Sequence, residues 1–234
     1  MKAFKLSYFL AILSLVLGCF VFAKFRSKQQ KISKIDVIFT GQGAGFLTTE
    51  IVNKLLIQSH DSLLLQQKDM LVLIDIEQQL TRHPMIKTAE LYTIPQGKLY
   101  VEIEERRPIV RVQGEHAYYI DEEGVEFPLS DRYSVKVPLF YGEPKRDDKQ
   151  EMVQLLSLLN TDTFLKRELV DFQLENNGFL LSLRNYPFDV FWGSNDGFFE
   201  KAKKLKLFCA YTKEHKTIKY KRIDLSYTKQ VVAR

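Results

Sequence analysis

One long apolar segment near the N-terminus constrains this chain more than any other feature. Between Leu6 and Ala23 the sequence contains no charged residue, whereas basic residues lie on both sides. An α-helix of this length spans about 27 Å, close to the roughly 30 Å thickness of the hydrocarbon core of a membrane. We therefore predict a short tail at residues 1–5 and a transmembrane helix at residues 6–25. Its membrane-contacting side chains are expected to be Leu6, Phe9, Leu10, Ile12, Leu13, Leu15, Val16, Leu17, Phe20, Val21 and Phe22.

Two other targeting signals compete for the same segment. A cleaved signal peptide would have a shorter apolar core, and Val21-Phe22-Ala23 is only a tolerable cleavage site. A lipoprotein signal would use Cys19, but the apolar run continues beyond it. An uncleaved anchor fits the segment better than either alternative. More positive charges follow the segment than precede it, so charge counting alone places the large region in the cytoplasm.

The remaining residues are enough for one large or two small domains, and we expect two. Cys209 is the only cysteine outside the apolar segment, so no disulfide can form within this region. The net charge is +5, but acidic and basic residues are interleaved, which is typical of a solvated surface. Lys201–Lys206 and Lys216–Arg222 are basic clusters, for which plain solvated faces are favoured over a membrane-surface or nucleic-acid patch.

The first region has the pattern of a small α+β domain. Its predicted elements are a strand at Ile35–Phe39, a helix at Glu50–Gln58, a helix from Asp75 to His83, and strands at Ile86–Tyr92 and Leu99–Glu104. Asp75 is the expected N-cap of the second helix, with Gln78 three residues later. In the last strand, Leu99, Val101 and Ile103 alternate with polar residues and are predicted to face the core.

The second region is predicted to be β-rich with two helices. One helix covers Asp147–Leu159, and its apolar stripe is predicted to be Met152, Leu155, Leu156 and Leu159. The other helix carries Phe198, Ala202, Leu205 and Phe208 at helical spacing. The predicted strands are Ile109–Gln113, Ala117–Ile120, Val125–Phe127, Val170–Leu174, Phe179–Leu183, Phe188–Trp192 and Arg222–Tyr227, with a terminal Val231-Val232. The aromatic residues expected in the core are Tyr118, Tyr119, Phe188, Phe191 and Trp192.

No group of residues in the sequence has the pattern of a catalytic, cofactor or metal site. The glycine-rich run at residues 41–45 lacks the third glycine of a dinucleotide-binding fingerprint, because Phe46 stands there. The four histidines are not spaced as metal ligands, and Cys209 is predicted to be a buried thiol. The glutamates at residues 102–105 fit a charged surface better than an acid/base pair. We therefore predict a protein-binding chain that is not an enzyme and has no small-molecule substrate.

Three segments of the chain resemble the FtsQ/DivIB cell-division family. The first runs from Asp75 through His83-Pro84, Pro95, Gly97 and the Leu99–Glu105 strand to Arg107-Pro108-Ile109. The second is Tyr119-Ile120-Asp121 with Gly124, and the third is Ile223-Asp224-Leu225-Ser226-Tyr227. The resemblance implies a POTRA domain at residues 32–105 with the order βααββ, and a β domain at residues 106–234. It also implies a cytoplasmic N-terminus, a periplasmic C-terminal region and septal localisation in the inner membrane, against the charge count.

The same resemblance implies a non-enzymatic divisome scaffold that binds an FtsB/FtsL-type complex. In the family the partner adds a strand beside the C-terminal strand of the β domain. The partner-binding residues carried over by position are Tyr227, Thr228, Lys229, Gln230, Val231 and Val232. Ser226 stands where many members have arginine, which removes a possible salt bridge. The alternatives are a POTRA protein of transport or outer-membrane assembly, and an anchored envelope enzyme.

Overall fold

The computed structural model describes residues 12–22, 34–41, 43, 45–59, 70–94, 97–176, 178–215 and 220–234. Residues 12–22 form helix α1, and their side chains are exposed. Among the described residues, no helix is both long enough and apolar enough to cross a membrane. The predicted transmembrane helix is therefore not confirmed, and its residues Leu6, Phe9 and Leu10 lie outside the described ranges.

The chain divides into two compact units, Met1–Glu105 and Arg106–Arg234. After α1, the elements of the first unit are β1 (Lys34–Thr40), α2 (Thr49–Ser59), α3 (Met70–Thr81), β2 (Ile86–Ile94) and β3 (Lys98–Glu105). The predicted order βααββ is confirmed. The strand order in the sheet is β1-β3-β2, with β1 parallel and β2 antiparallel to β3.

The core of the first unit lies between this sheet and its helices. Leu99, Val101 and Ile103 are completely buried, as their alternation along β3 predicts. Val52 and Leu56 of α2 and Ile76 and Leu80 of α3 pack in the same cluster. Burial of apolar side chains on a helix stripe and on one sheet face is the main stabilising contribution.

The predicted N-cap of α3 is wrong. The helix begins at Met70, so Asp75 lies inside it rather than at its start. The Asp75 carboxylate instead accepts a hydrogen bond of 3.1 Å from the side chain of Gln79, one turn later on the exposed surface.

Glu105 at the end of β3 organises the glycine-rich loop. Its side chain is buried, and its carboxylate accepts hydrogen bonds from the backbone N–H groups of Gly45 (2.8 Å) and Leu47 (2.6 Å). A Cβ atom at Gly43 would lie only 2.7 Å from Glu105 Oε2, so a larger residue would displace the carboxylate. The prediction that the glutamates at residues 102–105 all belong to a charged surface is therefore wrong for Glu105.

The second unit is built on a single mixed sheet. Its strands are β4 (Pro108–Gln113), β5 (Ala117–Asp121), β6 (Glu126–Pro128), β7 (Leu139–Tyr141), β8 (Leu169–Glu175), β9 (Gly178–Leu183), β10 (Asp189–Gly193), β11 (Arg222–Asp224) and β12 (Val232–Ala233). Among the described residues, nine strands share this sheet, in the order β12-β11-β10-β9-β8-β7-β4-β5-β6. Strand β7, which the sequence analysis missed, pairs in parallel with β4 on one side and β8 on the other.

The described part of the second unit contains three helices rather than the predicted two: α4 (Arg146–Thr161), α5 (Thr163–Glu168) and α6 (Phe198–Glu214). The additional helix, α5, begins where the Asp162 carboxylate accepts hydrogen bonds from the backbone N–H groups of Phe164 and Leu165. The predicted stripe of α4 is confirmed, because Met152, Leu155, Leu156 and Leu159 are all buried. They form one cluster with residues of β8, β9 and β10.

Candidate partner-binding edge

The chain leaves strand β11 earlier than the sequence predicts. The predicted strand Arg222–Tyr227 ends at Asp224, where the carboxylate accepts hydrogen bonds from the backbone N–H (2.8 Å) and hydroxyl (2.6 Å) of Ser226. This local bonding turns the chain out of the strand. Of the six predicted partner-binding residues, only Val232 lies in strand β12, while Tyr227, Thr228, Lys229, Gln230 and Val231 precede it.

Strand β12 pairs with β11 on one side and forms an edge of the sheet on the other. The backbone N–H of Arg222 donates a hydrogen bond to the Arg234 carbonyl (3.2 Å), and the N–H of Arg234 donates one to the Arg222 carbonyl (2.9 Å). Because paired and outward-facing residues alternate in an antiparallel ladder, the backbone N–H and C=O groups of Val231 and Ala233 face away from β11. The side chains of these two residues pack against the core of the unit, so only their backbone is available at the edge.

The opposite edge of the sheet, strand β6, has the features that block further pairing. Pro128 has no backbone N–H, and Glu126 carries a charge that pairs with Lys149. Proline and charged residues at an edge strand discourage the addition of another strand. Strand β12 and the residues just before it contain no proline. The two edges therefore differ, and β12 is the one suited to accept a strand.

A groove of about 410 Å³ lies beside β12 on the sheet face opposite the core. It is lined by Phe191 and Val232, with charged side chains around them. The Arg222 guanidinium lies 5.1 Å from the Phe191 ring centroid and bonds both carboxylate oxygens of Glu175, at 2.8 and 3.0 Å. The prediction that Phe191 is a core residue is therefore wrong. An extended chain added to β12 would place every second side chain on this face of the sheet, beside the groove.

Tyr227 precedes this edge along the chain, and 48% of its surface is exposed. Its ring is accessible to a partner, although the residue is in a bend rather than a strand. Ser226 is also exposed, and its hydroxyl is bonded to Asp224. Tyr227 therefore lies shortly before β12 in the sequence, and its side chain is accessible to a partner.

Other residues considered in the sequence analysis lie elsewhere. Cys209 is buried, and burial raises the pKa of its thiol to about 12, so it is a poor nucleophile. Within the described ranges, no cluster of three or more His, Cys, Asp and Glu side chains could hold a metal ion. The basic cluster Lys201–Lys206 is divided: Lys201 is buried, and Lys206 pairs with Asp162. The second cluster, Lys216–Arg222, lies partly outside the described residues.

Two family models match the chain, one for each unit. A POTRA-like domain matches residues 33–104, and a domain described as FtsQ/DivIB, C-terminal related, matches residues 107–234. The protein is thus a mixed α+β chain with a POTRA-like domain followed by a β-rich region. Since the second match covers more than half of the sequence, the chain belongs to the FtsQ/DivIB family. These domains indicate a role in cell division. No curated protein matches the chain.

Proposed function

We propose that this protein is a non-enzymatic scaffold of the bacterial divisome that links early and late cell-division proteins. It does so by accepting a strand from an FtsB/FtsL-type partner at the outer edge of β12. The observation that carries this proposal is the difference between the two sheet edges, one blocked by Pro128 and the other presenting the backbone of Val231 and Ala233. The family match, which covers residues 107–234, supports the same interpretation.

The expected binding mode combines backbone and side-chain contacts. Backbone hydrogen bonds to Val231 and Ala233 would supply affinity that depends little on the partner sequence. Selectivity would come from the groove over Phe191 and from the exposed ring of Tyr227, since aromatic residues contribute strongly to binding energy at interfaces. The Arg222–Glu175 pair already satisfies both charges, so an apolar or uncharged partner side chain suits the groove floor.

The proposed place of action is the division septum, with the chain anchored in the inner membrane and the region after the anchor in the periplasm. The uncharged apolar run from Leu6 to Ala23 supports the anchor. The family resemblance supports the orientation. A fluorescent fusion should mark the septum, and depletion should give filamentous cells without septa. Uniform membrane fluorescence together with normal division of depleted cells would refute the divisome role.

The edge itself is tested by Ala233→Pro in the full-length chain. Proline has no backbone N–H, so the outward-facing donor of residue 233 is lost and a carbonyl of the added strand stays unpaired. Binding of a co-expressed FtsB/FtsL-type complex should therefore weaken by about tenfold. Val231→Pro should act in the same way. Ala233→Val is the matched control, because it adds a comparable side chain but retains the N–H. Equal binding by the proline and valine variants, with both folded by circular dichroism, would exclude strand addition at β12.

The side-chain contribution is tested separately by Tyr227→Ala. Since the ring is about half exposed and the residue is in a bend, this substitution should weaken partner binding while leaving the free energy of unfolding nearly unchanged. The control is Tyr133→Ala, because Tyr133 is a similarly exposed tyrosine that is far from Tyr227 in the sequence. Equal co-purification of the partner by wild type and Tyr227→Ala would remove this residue from the interface.

A further inference from the structure

A lysine of helix α6 bonds to the segment that leads into the candidate edge. The Lys204 ammonium donates a hydrogen bond of 2.6 Å to the backbone carbonyl of Tyr227 and is 3.4 Å from the carbonyl of Leu225. Its neighbour Lys203 is exposed on the same helix. Lys204 is thus distinguished from the rest of the basic cluster by bonding to the chain just after β11.

The segment between β11 and β12 has few other attachments. Leu225 is buried and its N–H bonds to the Phe191 carbonyl at 2.9 Å, which fixes the start of the segment. Asp224 then holds Ser226. Within the described residues 227–230, all of which are exposed, the contact with Lys204 is the one hydrogen bond present.

We propose that Lys204 is a positioning residue for partner binding. This proposal rests on the proposed function. By holding the Tyr227 carbonyl, it fixes the backbone from which the Tyr227 ring projects and sets where the chain re-enters the sheet as β12. A hydrogen bond from a charged donor is stronger than a neutral one, and ordering the edge before binding lowers the entropic cost of association. Lys204 itself does not contact the added strand.

The first test measures the edge without any partner. In the full-length chain, Lys204→Met retains the aliphatic stem and removes the ammonium group. The backbone amides of Val232 and Arg234, which face β11, should then exchange with solvent about tenfold faster in hydrogen-exchange mass spectrometry. Lys203→Met is the matched control and should leave these rates unchanged, and Lys204→Arg should restore protection. Unchanged exchange in Lys204→Met would overturn the proposal.

The second test measures binding of a co-expressed FtsB/FtsL-type complex by the same variants. Lys204→Met should lower affinity by about tenfold, while Lys203→Met and Lys204→Arg bind like wild type. Trp192 fluorescence, which reports on the core of the second unit, should show the same denaturation midpoint in all four proteins. If wild type binds and Lys204→Met binds equally well, the positioning role is refuted. If wild type fails to bind, the proposed function fails, and the exchange result alone decides whether Lys204 orders the edge.

Discussion

Replacing Glu105 by glutamine tests how a buried carboxylate holds the glycine-rich loop of the first unit. The substitution preserves the size of the side chain. It converts one acceptor oxygen into an NH₂ donor that must face a backbone N–H. The adjacent Glu104 points to the other face of β3, where its side chain is partly exposed and lies 3.9 Å from Lys87. Glu104→Gln is therefore a matched control on the same strand.

The size of the destabilisation expected for Glu105→Gln follows from the two hydrogen bonds that the carboxylate accepts. The bonds from Leu47 (2.6 Å) and Gly45 (2.8 Å) both end on the charged carboxylate, and Glu105 is 2% exposed. A hydrogen bond to a charged group contributes about 1.5–3 kcal/mol, and an unpaired buried donor costs a similar amount. Glutamine can retain one of the two bonds. We therefore expect Glu105→Gln to destabilise the unit by about 2–3 kcal/mol, and Glu104→Gln by less than about 1 kcal/mol, the value of an exposed ion pair.

Hydrogen-exchange mass spectrometry is the suitable assay, because Trp192, the one tryptophan of the chain, lies in the second unit and does not report on the first. Peptides that cover Gly45 and Leu47 should exchange about 100-fold faster in Glu105→Gln than in wild type. Peptides of the second unit serve as an internal control. If Glu104→Gln and Glu105→Gln changed the hydrogen-exchange rates of the loop amides equally, the Glu105 carboxylate would not be the group that stabilises the loop.

Three further predictions concern the second unit. Leu155→Ala should lower its stability by about 2–5 kcal/mol, measured by Trp192 fluorescence in denaturant, because the fully buried leucine leaves a cavity; a loss below 1 kcal/mol would contradict the described packing. Cys209 should resist alkylation in the native chain and react on unfolding, as its pKa of about 12 and its burial require; rapid native labelling would refute this. Burial raises the pKa of Glu168, but hydrogen bonds from Arg167 and Asn185 outweigh burial and leave it below its ordinary value of 4.5. The ionised Glu168 carboxylate therefore contributes to the free energy of unfolding above its ordinary pKa, and this contribution is lost as the pH falls through the pKa in the folded chain. The difference in free energy of unfolding between wild type and Glu168→Gln should shrink below about pH 4.5. A difference that is independent of pH would exclude this contribution.

Periodicity predicted much of the fold because it reports directly on burial. The alternation of Leu99, Val101 and Ile103 and the stripe of α4 both depend on one element packing against a single core. The same alternation continues to Glu105, which is also buried, so a signal was present there. It was obscured because a run of glutamates and arginines usually indicates a surface.

Elements whose conformation depends on distant residues could not be predicted in this way. Strand β7 has only three residues between prolines, and its strand conformation comes from the parallel partners β4 and β8. The start of α3 was misplaced because the capping pattern at Asp75 is local and does not exclude helical turns before it. At the candidate edge, the sequence indicated the apolar residues of β12. The bend at Ser226 and the bond from Lys204 depend on the folded arrangement.

The position of β7 between two groups of strands has a consequence for the order in which the second unit folds. Strands β4–β6 form one block of antiparallel neighbours and β8–β10 another, and β7 joins the two blocks through parallel pairings between residues far apart in the sequence. Closing such long loops costs more entropy than forming adjacent hairpins. The two blocks should therefore form first, and insertion of Leu139–Tyr141 should be the rate-limiting step. Destabilising β7 should slow refolding of the whole sheet.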